Sequence, residues 1–116
     1  MIDGAHATAD AQNLATYLKN LKIPKYGIWA MTKNKEPDLF IKQLKGIFKK
    51  IVTMPIENEL NSVSANELYK VAIKNKFKVE KSNNFTKALK KISSNEKKLI
   101  VCFGSLYNCG NILNKN

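Results

Sequence analysis

Short apolar runs alternate with helix-like segments along this chain, and that alternation limits its possible folds more than any other feature. Residues 26–31 (Tyr-Gly-Ile-Trp-Ala-Met) and 99–103 (Leu-Ile-Val-Cys-Phe) are unbroken apolar runs, a pattern typical of parallel strands buried on both faces. The segments between the runs carry apolar residues at helical spacing. Further strands are predicted at residues 1–3, 51–56 and 77–80, and helices at 8–21, 37–48, 64–74, 84–92 and 104–113.

This alternation predicts an α/β fold, a Rossmann-like three-layer sandwich with a mostly parallel sheet of about five to six strands and helices on both faces. A chain of 116 residues can enclose one hydrophobic core, so residues 1–116 are predicted to form a single domain. The apolar runs are all shorter than the ~18–20 residues of a membrane helix. The N-terminus lacks a basic segment followed by an apolar one. We therefore expect a cytoplasmic protein without a membrane partner.

The net charge of +11 raises the question of an anionic partner. All twenty basic residues are lysines, and they are spread over every segment. Arginine is the preferred residue for reading bases and clamping phosphates, so its absence argues against specific recognition of nucleic acid. A solvated basic surface is the simpler interpretation, although a phosphate-rich ligand would still be attracted to it.

The two cysteines predict neither a disulfide framework nor a metal site. Cys102 lies inside an apolar run and is expected to be a small buried residue. Cys102 and Cys109 are separated by a spacing that matches no metal-binding or redox pattern. We interpret both as reduced, and we predict no metal ligands in this chain.

Residues 3–6 (Asp-Gly-Ala-His) form the first candidate ligand-binding motif. They stand between the predicted strand stub and the first helix. Gly4 would let the backbone pass close to a ligand, and the free N–H groups of the helix start would face an anion. In open α/β sheets, ligands bind beyond the carboxyl ends of the strands, where Asp3 and His6 would project. An ordinary Asp-Gly turn and a surface histidine are the alternatives.

A second motif follows the predicted strand 99–103. It reads Gly104-Ser105-Leu106-Tyr107 and is followed by Gly110. The two motifs, in this order, spacing and strand-turn-helix context, resemble the C-terminal domain of folylpolyglutamate synthase / dihydrofolate synthase. That enzyme belongs to the Mur-ligase superfamily of ATP-dependent amide-forming ligases. The resemblance covers essentially the whole chain.

The resemblance implies roles for the first motif. Asp3 matches the family aspartate that binds the ATP ribose. The implied role agrees with its chemistry, because a carboxylate can accept hydrogen bonds from two vicinal hydroxyls. Gly4 and His6 then complete the nucleotide-binding motif. His6 matches the family histidine beside the phosphates and the acyl phosphate, so it is the candidate catalytic residue, acting electrostatically as a hydrogen-bond donor.

The resemblance also implies substrate-side residues. Lys35 aligns with the lysine of the family's Asp-Lys-Asp loop. Ser105 and Tyr107 match the terminal motif, where their implied roles are positional. A contact from Ser105 to the incoming glutamate is a further hypothesis.

The chain departs from the family pattern at several positions. Ala7-Thr8 stands where the family has Asn-Pro, Asn34 and Glu36 replace the loop aspartates, and residues 57–61 lack the family arginine. The chain also lacks a Gly-rich nucleotide loop with a lysine and paired carboxylates beside His6. We therefore expect ATP and Mg²⁺ to be bound mainly by an N-terminal ATPase domain that this sequence does not contain.

These features predict the C-terminal, glutamate- and nucleotide-side lobe of a folate-type ligase, incomplete and inactive alone. In the parent reaction a folate or pteroate carboxylate is activated as an acyl phosphate, and the amine of L-glutamate attacks it. The partner would be the N-terminal ATPase domain, in cis or in trans, and the short strand stub suggests a truncated start. Two alternatives stay open: a residual or interaction domain that kept its fold without catalysis, and a basic module that binds nucleic acid.

Overall fold

The computed structural model describes residues 7–56, 59–94, 96–104 and 111–113. The helices in these ranges are α1 (Ala7–Lys19), α2 (Pro37–Lys42), α3 (Ala65–Lys74) and α4 (Phe85–Lys91), with a 3₁₀ turn at Lys33–Lys35. The strands are β1 (Lys25–Ala30), β2 (Lys50–Thr53), β3 (Val79–Lys81), β4 (Leu99–Gly104) and β5 (Asn111–Leu113). None of the helices in these ranges has the length and hydropathy that a membrane span requires.

The strands form one sheet in the order β3-β2-β1-β4-β5. The first four are parallel, and β5 is antiparallel to β4. β1 is the central strand, and its Ile28 is paired with Val52 of β2 and with Cys102 of β4. The predicted α/β fold with a mostly parallel sheet is therefore confirmed, with five strands in the described residues.

Helices cover both faces of the sheet, as predicted. Trp29 and Phe103 face the same side as the buried residues of α1, α2 and α3, whereas Ile28 and Cys102 face α4. The apolar runs of β1 and β4 are buried on both faces for this reason. Two predicted helix starts are also present, since Ser64 accepts a hydrogen bond from the backbone N–H of Glu67 and Asn84 accepts one from that of Lys87.

The prediction of a last helix over 104–113 is wrong at its C-terminal end. Residues 111–113 form β5, in which Ile112 is paired with Ile100. Without β5, the outer edge of β4 would leave its backbone N–H and C=O groups unpaired. These groups favour an antiparallel strand over a helix at residues 111–113, because the strand provides their hydrogen-bond partners. The remainder of that predicted segment, residues 105–110, and the strand stub at 1–3 lie outside the described residues.

Candidate functional site

The strand order creates a topological switch point between β1 and β4. The chain proceeds from β1 to β2 and β3 on one side, then returns to place β4 on the other side of β1. In open α/β sheets the loops after two such strands diverge and leave a crevice for ligands at the carboxyl edge. In this chain the position expected for such a crevice is the carboxyl end of the β1–β4 ladder, at its last pair, Ala30 and Gly104.

Gly104 brings the two strand ends into close approach. Its φ is +96°, in the region that glycine adopts without strain, and a Cβ atom at this position would collide with the carbonyl oxygen of Ala30. The same Cβ would lie 3.1 Å from Cδ1 of Trp29. The glycine that begins the second motif is therefore required by the geometry of the crevice.

Trp29 contributes an unsatisfied hydrogen-bond donor beside this crevice. Its side chain is fully buried and stacks on Phe103 with 6.3 Å between ring centroids. Its Nε1–H has no hydrogen-bond partner among the described residues. Buried polar groups are nearly always paired, so this donor is unusual among the described residues. From the sequence, Trp29 is predicted only as a strand residue. It is the single tryptophan of the chain and stands at the carboxyl end of a predicted central strand, and this position could have indicated that it lies near the ligand-binding edge.

Two loops at the carboxyl edge are held together by backbone contacts. The N–H of Lys33 donates to the carbonyl of Asn61 at 2.8 Å, and the N–H of Val63 donates to the carbonyl of Met31 at 2.9 Å. Thr32 and Ser62 form an antiparallel bridge between them. Residues 31–36, which include the segment that resembles the Asp-Lys-Asp loop, are thus joined to residues 59–63 of the next loop. We call these two joined segments the rim.

Lys35 lies in this rim, in the 3₁₀ turn, and is half-buried. The turn is fixed locally, because Thr32 Oγ1 donates to Asn34 Oδ1 at 2.7 Å. Glu36 follows with a φ of 54° and precedes α2 without a capping hydrogen bond from its side chain. The structure therefore places Lys35 at the carboxyl edge, and its role toward substrate stays a prediction.

The other predicted site residues lie outside the described residues. They are Asp3, Gly4, His6, Ser105 and Tyr107. Their neighbours in sequence are described: α1 begins at Ala7, and β4 ends at Gly104. The roles implied for these five residues stay predictions.

Carboxylates with a shifted pKa lie in ion pairs on the surface. A hydrogen bond from Asn75 is the main cause of the lowered pKa of Asp38. The ammonium of Lys50, 2.7 Å from the carboxylate of Glu80, lowers the pKa of Glu80. In the ranges that the structure describes, no group of three or more His, Cys, Asp or Glu side chains could hold a metal ion.

The element order and the mostly parallel sheet define a Rossmann-like α/β domain with a topological switch point between β1 and β4. The sequence matches the family model described as dihydrofolate synthetase, C-terminal domain, over residues 1–115. The chain therefore belongs to this family. A search of curated protein sequences finds no significant match.

Solved structures of folylpolyglutamate synthases share the fold. The Mycobacterium tuberculosis enzyme complexed with ADP and AMPPCP superposes with a TM-score of 0.71 at 17% identity, over 90% of this chain and 26% of that one. E. coli FolC in complex with DHPP and ADP gives 0.70 at 18% identity, over 88% and 25%. The bifunctional enzyme from Yersinia pestis with AMPPNP and Mn ion gives 0.69 at 17% identity, over 90% and 25%. The chain thus spans about a quarter of the length of these proteins.

Proposed function

We propose that this domain forms one side of the active site of an ATP-dependent ligase that joins a folate or pteroate carboxylate to the amine of L-glutamate. The close approach of Gly104 to Ala30 is the observation that carries the proposal, because it lies at the switch point where α/β domains bind ligands. Membership of the dihydrofolate synthetase C-terminal family supports the reaction class. Structures of the relatives with ADP, AMPPCP, AMPPNP and DHPP support the ligand classes.

The described residues fit a nucleotide better than they fit a metal ion. The close approach of Gly104 to Ala30 would let a ligand lie near the backbone at the ends of the two strands. No described cluster of side chains suits Mg²⁺. We therefore assign Mg²⁺ and most phosphate contacts to an N-terminal ATPase domain. When bound, ATP would supply the phosphoryl group that activates the substrate carboxylate.

The residues of this chain would bind and orient the reactants. Asp3 would accept hydrogen bonds from the nucleotide ribose, and Gly4 would bring the backbone close to the nucleotide. His6 would donate a hydrogen bond to the negative charge that develops at the reacting phosphate and carboxylate oxygens. Lys35 on the rim would attract a substrate carboxylate, with Ser105 and Tyr107 positioning the same substrate.

The domain is proposed to be inactive alone. Phosphoryl transfer needs phosphates and metal held in a fixed geometry, and the described part of the chain offers no such set of ligands. Ligation would require closure of this lobe onto the ATPase domain, supplied in cis or in trans.

The first test is an NMR titration of the chain with Mg-ATP and then L-glutamate. The proposal predicts selective shifts of the Trp29 indole N–H and of the Gly104 amide, while amides of the opposite edge, such as Lys97, stay unchanged. The second test adds a separately produced N-terminal domain of a folylpolyglutamate synthase. Formation of the amide product above the rate of either half supports the proposal, and its absence together with silent spectra would favour a residual domain.

A further inference from the structure

A second cavity, distinct from the crevice, lies at the edge strand of the sheet. It is an open depression of about 420 Å³ between the start of α3, the end of β3 and the side of α4. Its lining residues are Ala65, Asn66, Lys81, Ser82, Asn83, Lys87 and Lys91. Three ammonium groups and two side-chain amides line this cavity, and no carboxylate does.

We propose that this cavity binds an oligoanion, a molecule that carries two or three adjacent carboxylate or phosphate groups. Ammonium and amide N–H groups are the donors that such ligands accept from, and charge-assisted hydrogen bonds are the strongest of their kind. The inference is independent of the proposed ligase function, because none of its residues belongs to the switch-point crevice.

Two of the three lysines are already held in position. Lys81 Nζ donates to Asn66 Oδ1 at 3.2 Å and lies 4.9 Å from the centre of the Tyr69 ring. Lys91 Nζ is 3.5 Å from Glu80 Oε1, a carboxylate that also accepts a 2.7 Å hydrogen bond from Lys50. Because their side chains are partly ordered before binding, these lysines would lose less conformational entropy when an anion arrives.

Lys87 and the amide of Asn66 remain available to a ligand. The side-chain ammonium of Lys87 forms no hydrogen bond or ion pair with a described residue, although the backbone N–H of Lys87 donates to Asn84. Asn66 uses its side-chain oxygen toward Lys81, which leaves its NH₂ group as a donor. Ser82, in contrast, is buried and uses its hydroxyl to hold the turn, donating to the carbonyl of Asn84 at 2.9 Å.

The general excess of lysine does not by itself produce such a cavity. A larger cavity of about 570 Å³ between α2 and α3 contains Lys33 and Lys70, but also Asp38 and Glu67, so its lysines are balanced by carboxylates. The edge cavity therefore differs from the larger one, because no carboxylate is among its lining residues. This contrast also provides a matched control.

The test measures the binding of two probes, tripolyphosphate and citrate, to the full chain. Binding is followed by calorimetry and by NMR shifts of the amides at low ionic strength. We expect saturable one-to-one binding of at least one probe, with shifts at Asn66, Ser82 and Asn83. The double variant Lys81→Ala/Lys87→Ala should weaken binding by about tenfold or more. The double variant Lys81→Arg/Lys87→Arg should retain it. The control pair is Lys70, which lines the larger cavity, and Lys45, an exposed lysine that lines neither cavity; Lys45→Ala/Lys70→Ala should bind like the unmodified chain.

The two probes separate the possible sources of the ligand: a preference for tripolyphosphate indicates a phosphate ligand, and a preference for citrate indicates a carboxylate ligand. Equal weakening by both alanine pairs would overturn the proposal, because binding would then follow net charge alone. Failure of both probes to bind would overturn it as well. So would tight binding of an RNA oligonucleotide with no binding of either small anion.

Discussion

Gly104 and Ala30 form the last pair of the β1–β4 ladder, and the carbonyl oxygen of Ala30 occupies the space that a Cβ atom on Gly104 would need. The contact lies at the carboxyl edge of the sheet, where the ladder between these two strands ends. A positive φ and a steric limit thus act on the same residue. Gly46 offers a comparison, since its φ is +81° but no atom lies within 4 Å of its Cβ position.

Gly104→Ala is expected to lower the free energy of unfolding by about 3 kcal/mol, because backbone strain and a collision with Ala30 add together. Gly46→Ala is expected to lower the free energy of unfolding by about 1 kcal/mol, because backbone strain is its only effect. Urea denaturation of both variants measures the difference. Equal losses would show that the approach to Ala30 does not matter.

Lys98 should be a structural lysine. It is 1% exposed, and its Nζ donates to Ser94 Oγ at 2.7 Å and to the carbonyl of Glu96 at 3.2 Å. Lys98→Met keeps the aliphatic packing but removes both hydrogen bonds, so we expect a loss of about 2 kcal/mol in thermal or urea unfolding. The exposed neighbour Lys97 is the control, and Lys97→Met should change stability by less than about 0.5 kcal/mol. Similar effects of the two variants would contradict this assignment.

The ion pair of Glu80 with Lys50 predicts a loss of stability in acid. The pKa of Glu80 lies below its ordinary value of 4.5, so the pair stabilises the folded state above that pH. The contribution is lost as the pH falls through the lowered pKa of the folded state. Glu80→Gln should therefore flatten the stability profile below pH 4.5, measured by urea denaturation at a series of pH values. An unchanged profile for Glu80→Gln would refute the prediction.

Lys35 tests the proposed substrate side of the site. In a ligase reconstituted with an N-terminal domain, Lys35→Ala should lower the rate by about tenfold to a hundredfold, because the positive charge proposed to attract a substrate carboxylate is removed. Lys35→Arg should retain most of the activity, and Lys45→Ala should have no effect. If Lys35→Ala were as active as the unmodified chain, the rim would not contact substrate.

The sequence predicted the local elements wherever the pattern of apolar residues was clear. The strand at 26–31 and the strand at 99–103 were recognisable because both faces of β1 and β4 are buried. The starts of α3 and α4 were recognisable from Ser64 and Asn84, whose side chains cap the helices directly. The last element was not, because β5 forms in response to the free edge of β4 rather than from its own three residues.

The sequence by itself determined the class of fold, the position of the second motif after a buried strand, and the family resemblance. Only the tertiary structure decided the strand order, the approach of Gly104 to Ala30, the joined rim of the two loops and the unpaired donor of Trp29. The reason is the range of the interactions involved. Helix caps and buried runs follow from neighbouring residues, whereas the crevice and its rim arise from contacts between segments that are distant in the chain.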